Sequence, residues 1–159
     1  MTIKTGDKLP DVSFTTMTEH GPEPVGKDWF AGKTVALFAV PGAFTPTCSA
    51  KHLPGFIGKA DELKAKGVDA IACTAVNDVF VMSAWSKAAG ADGVVTMLAD
   101  GNCDFARAVG LVMDGSKFGM GERSQRYSML VEDGVVKQLN VEQPGEFKAS
   151  TAEHLLSQL

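Results

Sequence analysis

The run Thr34-Val-Ala-Leu-Phe-Ala-Val40, ended by Pro41 and Gly42, limits the possible folds more than any other stretch of the chain. An almost unbroken apolar run of this length suits a strand covered on both faces. Such strands belong to parallel sheets with helices packed on each side. Val68-Asp-Ala-Ile-Ala-Cys-Thr-Ala-Val76, introduced by Gly67, is a second run of this kind, and Val94-Val-Thr-Met-Leu98 is a third. Helical patterns separate them. One helix is expected from about Pro46. Another is expected from Val79 to about Ala89, capped by Asn77-Asp78, with Val81, Trp85 and Ala88 on one face. A short third follows Asp100-Gly101, near Phe105 to Val109. The pattern then changes. Tyr127 to Val131 and Val135 to Leu139 flank Asp133-Gly134, a two-residue hairpin signal. Ser150-Thr-Ala-Glu153 reads as a capping box that opens a terminal helix carrying Leu155, Leu156 and Leu159. The order β-α-β-α-β-α-β-β-α predicts an α/β protein with a mixed central sheet and helices on both faces. A thioredoxin-like fold with an N-terminal extension meets that description.

With 159 residues, 45% of them hydrophobic, a single domain over residues 1–159 is expected, with enough core to fold without disulfides. A net charge of −4, from 15 Lys+Arg against 19 Asp+Glu, argues against nucleic acid as a partner. The apolar stretch from Val35 is broken at Pro41 and Gly42, well short of the ~20 residues a bilayer needs, so no membrane association is expected. Met1 to Lys8 lacks the apolar core of a secretory signal. The three cysteines, Cys48, Cys73 and Cys103, are odd in number and form no C-x-x-C. Free thiols in a reducing compartment follow, and a cytoplasmic location is expected. The same thiols lack the clustering of a metal site. No cofactor is implied.

Cys48 lies where chemistry is easiest to arrange. Thr45 is placed to cap the first helix and Pro46 to occupy its first position, so Cys48 falls in the first turn. There the unsatisfied backbone N–H groups and the helix dipole favour an anion. Ionisation alone is not enough. A free thiol is ~3% ionised at neutral pH, so complete ionisation gains at most ~30-fold, or about 2 kcal/mol. A fast thiol enzyme must also act on the leaving group.

Pro41-x-x-x-Thr45-x-x-Cys48 resembles the active-site motif of the peroxiredoxins, thiol peroxidases that reduce hydroperoxides. The resemblance extends to the branch containing animal peroxiredoxin 5 and the plant type II enzymes. It is carried by Pro41 to Cys48, Lys51 to Phe56, Val76-Asn-Asp78 with Phe80-Val81, Leu98-Ala-Asp100 and Arg126-Tyr-Ser-Met129. It implies that Cys48 is the thiolate that attacks the peroxide and becomes a sulfenic acid. It implies that the Thr45 hydroxyl bonds thiolate and peroxide, that Pro41 shields the sulfur from water, and that Arg126 steadies the thiolate and polarises the O–O bond. Strand alternation would send Arg126 to the face opposite Tyr127; without the resemblance, Arg123 could claim the same role.

The branches of the family differ in how the sulfenic acid is released. Ala149 stands where the animal form carries a resolving cysteine, whereas Cys73 matches the second cysteine of the plant enzymes. Cys73 is expected mid-strand, as a possible resolving thiol or as an inert core residue, and Cys103 as a bystander. The implied reductant is glutathione, glutaredoxin or thioredoxin, the implied substrate is hydrogen peroxide or a small organic hydroperoxide, and the implied assembly is a homodimer. Phe44, Phe80 and Trp85 are candidates for the dimer interface, and Phe118 with Met120 for a wall of the pocket. Two other readings stay open: a thioredoxin-fold redox sensor or chaperone module without efficient turnover, and a hydrolase using a Cys48–His52 pair.

Overall fold

All 159 residues are described by the computed structural model. The chain opens with a hairpin, β1 (Phe14–Thr18) and β2 (Gly21–Val25), before the long apolar run forms β3 (Thr34–Ala39). A helical segment then leads into α1 (Leu53–Gly58) and α2 (Ala60–Ala65). β4 (Ala70–Ala75), α3 (Val79–Ala89), β5 (Thr96–Ala99) and α4 (Asp104–Val109) follow. β6 (Val112–Asp114) pairs with β7 (Glu122–Ser124) in a small separate ribbon; β8 (Tyr127–Glu132), β9 (Val135–Val141) and α5 (Ala152–Ser157) complete the chain.

The main sheet has the order β2-β1-β5-β4-β3-β8-β9. β3, β4 and β5 are parallel, and the flanking pairs are antiparallel. This is the expected mixed sheet, with the apolar run at its centre. Alternation along β3 divides the core in two. Ala36 and Phe38 face Leu53, Phe56, Leu63, Met82, Trp85 and Leu155 of α1, α2, α3 and α5. Val35, Leu37 and Ala39 face Phe105 and Val109 of α4, together with Phe14 and Phe30. Both faces are therefore dry, as a strand without polar positions requires.

The turns follow residue chemistry. Asp133 and Gly134 both take positive φ, 49° and 77°, the left-handed pair that a tight β8–β9 hairpin needs. Asp78 caps α3 by accepting from the Val81 N–H at 2.9 Å. Three local expectations shift. The buried face of α3 is Val79, Met82, Trp85 and Ser86, with Ala88 exposed, so the stripe follows i, i+3 spacing from Val79 rather than from Val81. The cap of α5 is Thr151, whose hydroxyl accepts from the His154 N–H at 3.1 Å, while Ser150 is buried in another network. The N-terminal extension contains a paired hairpin. Pro22 and Pro24 are tolerated in β2 because it is the edge strand and residues of one parity turn their missing N–H to its open side.

Candidate active site

The segment after β3 makes a tight turn and enters a helix at Pro46. Phe44 takes φ +64°, the strained residue of that turn. The helix is irregular: Cys48–His52 forms a π turn, closed by the Leu53 N–H donating to the Cys48 carbonyl. Pro54 accounts for the irregularity. It cannot donate to the Ala50 carbonyl, and its ring would crowd that carbonyl in a regular helix, so the turn widens by one residue. The widened turn carries both Cys48 and His52 into the core, each fully buried.

Cys48 meets Arg126 there. The Arg126 Nη2 donates to Cys48 Sγ at 3.0 Å, placing a permanent positive charge against the sulfur. Arg126 reaches it from the residue before β8, on the face opposite Tyr127, as alternation predicts. Arg123 does not share the role: its Nε donates to the Met120 carbonyl at 2.8 Å. The N–H groups of Thr47 and Cys48 make no backbone hydrogen bond, leaving two donors beside the sulfur.

Thr45 holds the expected cap position, directly before the helix that starts at Pro46, but its side chain does not cap the helix. Its Oγ1 donates to the Gly42 carbonyl at 2.7 Å, and its own carbonyl accepts from the Ser49 N–H at 2.9 Å. With its one proton given to Gly42, the hydroxyl can only accept further bonds, so it is set to receive an O–H rather than to donate to sulfur.

A cavity of about 440 Å³ opens beside Arg126, and neither Cys48 nor Thr45 is part of its wall. Pro41, Thr47 and Arg126 line it, Arg126 being the one in contact with Cys48, with Val112, Met113 and Phe147 as its apolar part. Phe118, four-fifths exposed, takes no part in it. The Phe147 ring lies 5.7 Å from the Arg126 guanidinium carbon and 5.1 Å from the His52 ring.

His52, weighed from the sequence only as a base for Cys48, instead contacts Arg126: Nη1 lies 2.8 Å from Nδ1, and Nε2 lies 2.9 Å from the Ser150 carbonyl. Arginine can only donate, so Nδ1 accepts and Nε2 carries the proton. Burial, reinforced by the Arg126 charge, pushes the imidazole down to about 3. A neutral ring with both nitrogens engaged is no base for Cys48, which removes the hydrolase reading. Glu142, Ser150 and Phe147 were missed in the sequence, because Glu142-Gln-Pro-Gly-Glu146 reads as an ordinary surface turn.

Cys73 lies in the middle of β4 between Phe38 and Met97, fully buried, in the same core cluster as Cys48. Burial pushes its thiol well above the usual cysteine range. Cys103 precedes α4, buried, with φ +65° and no side-chain capping bond. Trp85 is core rather than interface: it is 1% exposed and donates from Nε1 to Ser49 Oγ at 3.0 Å.

Residues 4–156 match the Redoxin family model. The chain is 53% identical over 99% of its length to Peroxiredoxin-2E-2, chloroplastic, of rice, covering 73% of that protein. It is 49% identical over 99% of its length to Peroxiredoxin-2E, chloroplastic, of Arabidopsis thaliana, covering 69% of that protein. Among solved structures, reduced Prx3 in complex with H2O2 from Vibrio vulnificus superposes with a TM-score of 0.95 at 52% identity, over 98% of each chain. The expected cytoplasmic location is overturned, since both plant relatives are chloroplastic proteins. Free thiols separate reducing from oxidising surroundings and do not say which reducing compartment a chain occupies.

Proposed function

The chain belongs to the redoxin family and is a peroxiredoxin, a thiol peroxidase, and we propose that Cys48 is its reacting thiol. The observation that carries this reading is the 3.0 Å bond from Arg126 Nη2 to Cys48 Sγ beneath the cavity. The Cys48 thiolate attacks the terminal oxygen of a hydroperoxide in line with the O–O bond. A sulfur–oxygen bond forms and the O–O bond breaks, so sulfur is oxidised by two electrons to a sulfenic acid. The departing alkoxide or hydroxide carries the electron pair away and takes a proton from water. Arg126 and the free N–H groups of Thr47 and Cys48 stabilise charge on both reacting oxygens, Thr45 accepts the peroxide O–H, and Pro41 keeps bulk water from the sulfur.

The recycling step uses an external thiol such as glutathione, or a glutaredoxin or thioredoxin. Its thiolate attacks the sulfenic sulfur, the S–O bond breaks as the hydroxide takes a proton from solvent and leaves as water, and a mixed disulfide forms. A second thiolate then attacks the external sulfur of that disulfide and releases Cys48 as its thiolate. Two features favour this route over an internal disulfide. Cys73 is locked in the sheet with a thiol held protonated by burial, and the cavity beside Arg126 is roomy enough for a small thiol. A second copy of the chain is the proposed partner. Phe44 and Phe80, both exposed, stand in segments tied together by the Ala43 N–H bond to Asn77 Oδ1, and together they offer an apolar surface near the site.

The test is stopped-flow peroxide reduction by the wild type and by Cys48→Ser. The wild type should far outpace free cysteine, and the variant should lose turnover while keeping its fold. Turnover retained in Cys48→Ser would sink the assignment.

A further inference from the structure

A chain of hydrogen bonds runs from the reacting sulfur to the segment before α5. Arg126 donates through Nη2 to Cys48 and through Nη1 to His52 Nδ1. His52 donates from Nε2 to the Ser150 carbonyl. Ser150 is itself held by Glu142, whose Oε2 accepts from the Ser150 N–H at 2.7 Å, the Ser150 hydroxyl at 2.7 Å and the Lys148 N–H at 2.8 Å. The circuit closes where the Glu142 N–H donates to the Arg126 carbonyl at 3.0 Å. Every member is fixed by at least two bonds, and the His52 ring is also packed among Phe38, Phe56 and Phe147.

We propose that His52 is the positioning residue for Arg126, and that Glu142 and Ser150 form the clip that fixes His52 in the tautomer this requires. The guanidinium is planar and its two Nη groups diverge, so anchoring Nη1 determines where Nη2 points. Without an acceptor on its far side, Arg126 is free to rotate about its long side chain towards the open cavity, away from Cys48. A lysine or a protonated histidine at position 52 could not serve, because the site needs an acceptor towards Arg126 and a donor towards Ser150 at once. The surroundings keep the ring in that form: burial and the Arg126 charge hold it neutral. Burial opposes an ionised Glu142, but the hydrogen bonds from Ser150, Ala149 and Lys148 prevail and hold it below the usual carboxyl range. His52 touches neither substrate nor sulfur in this arrangement and acts through Arg126 alone.

The proposal rests on Cys48 as the reacting thiol, and the test keeps the two claims apart. The rate constant for oxidation by hydrogen peroxide is read from the change in intrinsic fluorescence in a Trp29→Phe background, which leaves Trp85, bonded to Ser49 beside Cys48, as the one tryptophan. His52→Phe keeps the aromatic packing and removes both ring nitrogens; it should slow the reaction about 10- to 100-fold, the scale of a misplaced catalytic group. His52→Gln, which offers an acceptor and a donor at one end, should recover most of that loss. In an Arg126→Met background, His52→Phe should cost less than about 2-fold more, since its effect passes through the missing guanidinium. If His52→Phe does not fold, the same cycle is run with His52→Asn, too short to bridge Arg126 and Ser150. A wild-type rate in His52→Phe, no recovery in His52→Gln, or equal losses with and without Arg126 would each overturn the positioning role. Reaction persisting in Cys48→Ser would overturn both claims, whereas its loss there, with His52→Phe unaffected, would overturn only the role of His52.

Discussion

Cys48 and Cys73 share one core cluster on one face of the same sheet, both with no exposed surface, and their surroundings are opposite in chemistry. Cys48 stands in the first turn of a helix with a guanidinium at 3.0 Å and two unclaimed N–H groups beside it. Cys73 stands mid-strand between Phe38 and Met97, where burial disfavours the thiolate and no donor answers it. Burial by itself makes a thiol inert. On the proposed reading, what separates the reacting thiol from the core thiol is the set of donors built into the burial, and a cavity whose wall includes the Arg126 that touches Cys48.

The sharpest way to break the contrast is to remove the donor that Cys73 lacks. Arg126→Met should reduce the rate of peroxide reaction about 10²- to 10³-fold, the usual cost of deleting one preorganised donor to a developing charge. A loss of only a few-fold, measured by stopped flow, would leave Cys48 and Cys73 separated by access rather than by electrostatics. Thr45→Val keeps the volume and removes the acceptor for the peroxide O–H. A loss of several-fold to hundreds-fold is expected, on the scale of ~1–3 kcal/mol for one such bond. The same assay at a wild-type rate would exclude Thr45 from the chemistry.

A third prediction concerns the buried ring that anchors Arg126. His52 titrates at about 3 in the folded protein because of burial and the Arg126 charge, and near 6.5 when unfolded. Between those values the unfolded chain binds more protons, so the stabilisation present above pH 6.5 is lost progressively as pH falls towards 3. Lowering pH from 6.5 to 5 should cost about 2 kcal/mol from this group, read as a drop in the urea midpoint. His52→Gln should flatten that slope, and an unchanged slope would contradict it. The smallest effect belongs to Cys73→Ser. Glutathione-supported turnover should persist, while stability falls by ~1–3 kcal/mol for a buried hydroxyl without a partner. Blocked turnover with an unchanged melting temperature would make Cys73 a resolving thiol after all.

The central strands were legible because β3 and β4 contain almost nothing that tolerates water, and Asp133-Gly134 admits few other turns. The β1–β2 hairpin was not, since Pro22, Pro24 and three threonines carry no apolar alternation and only the edge position makes them acceptable. Pro41, Thr45 and Cys48 form one contiguous stretch, and Arg126 was reached through the resemblance carried by Arg126-Tyr-Ser-Met129, because strand parity alone does not separate it from Arg123. The support behind Arg126 was out of reach. His52, Glu142 and Ser150 are brought together by a π turn and a surface loop, and neither leaves a periodic mark in the sequence. Thr45 shows the same limit on a smaller scale: its place was readable, but the direction of its hydroxyl depends on the Gly42 carbonyl.

One equivalent of hydrogen peroxide, followed by a sulfenic-acid trap and peptide mass spectrometry, tests the contrast between the two thiols most directly. Trapped sulfenic acid on the Cys48 peptide, with Cys73 recovered as a free thiol, is the predicted result. A trap on Cys73, or a Cys48–Cys73 disulfide formed ahead of any trapped sulfenic acid, would contradict the account.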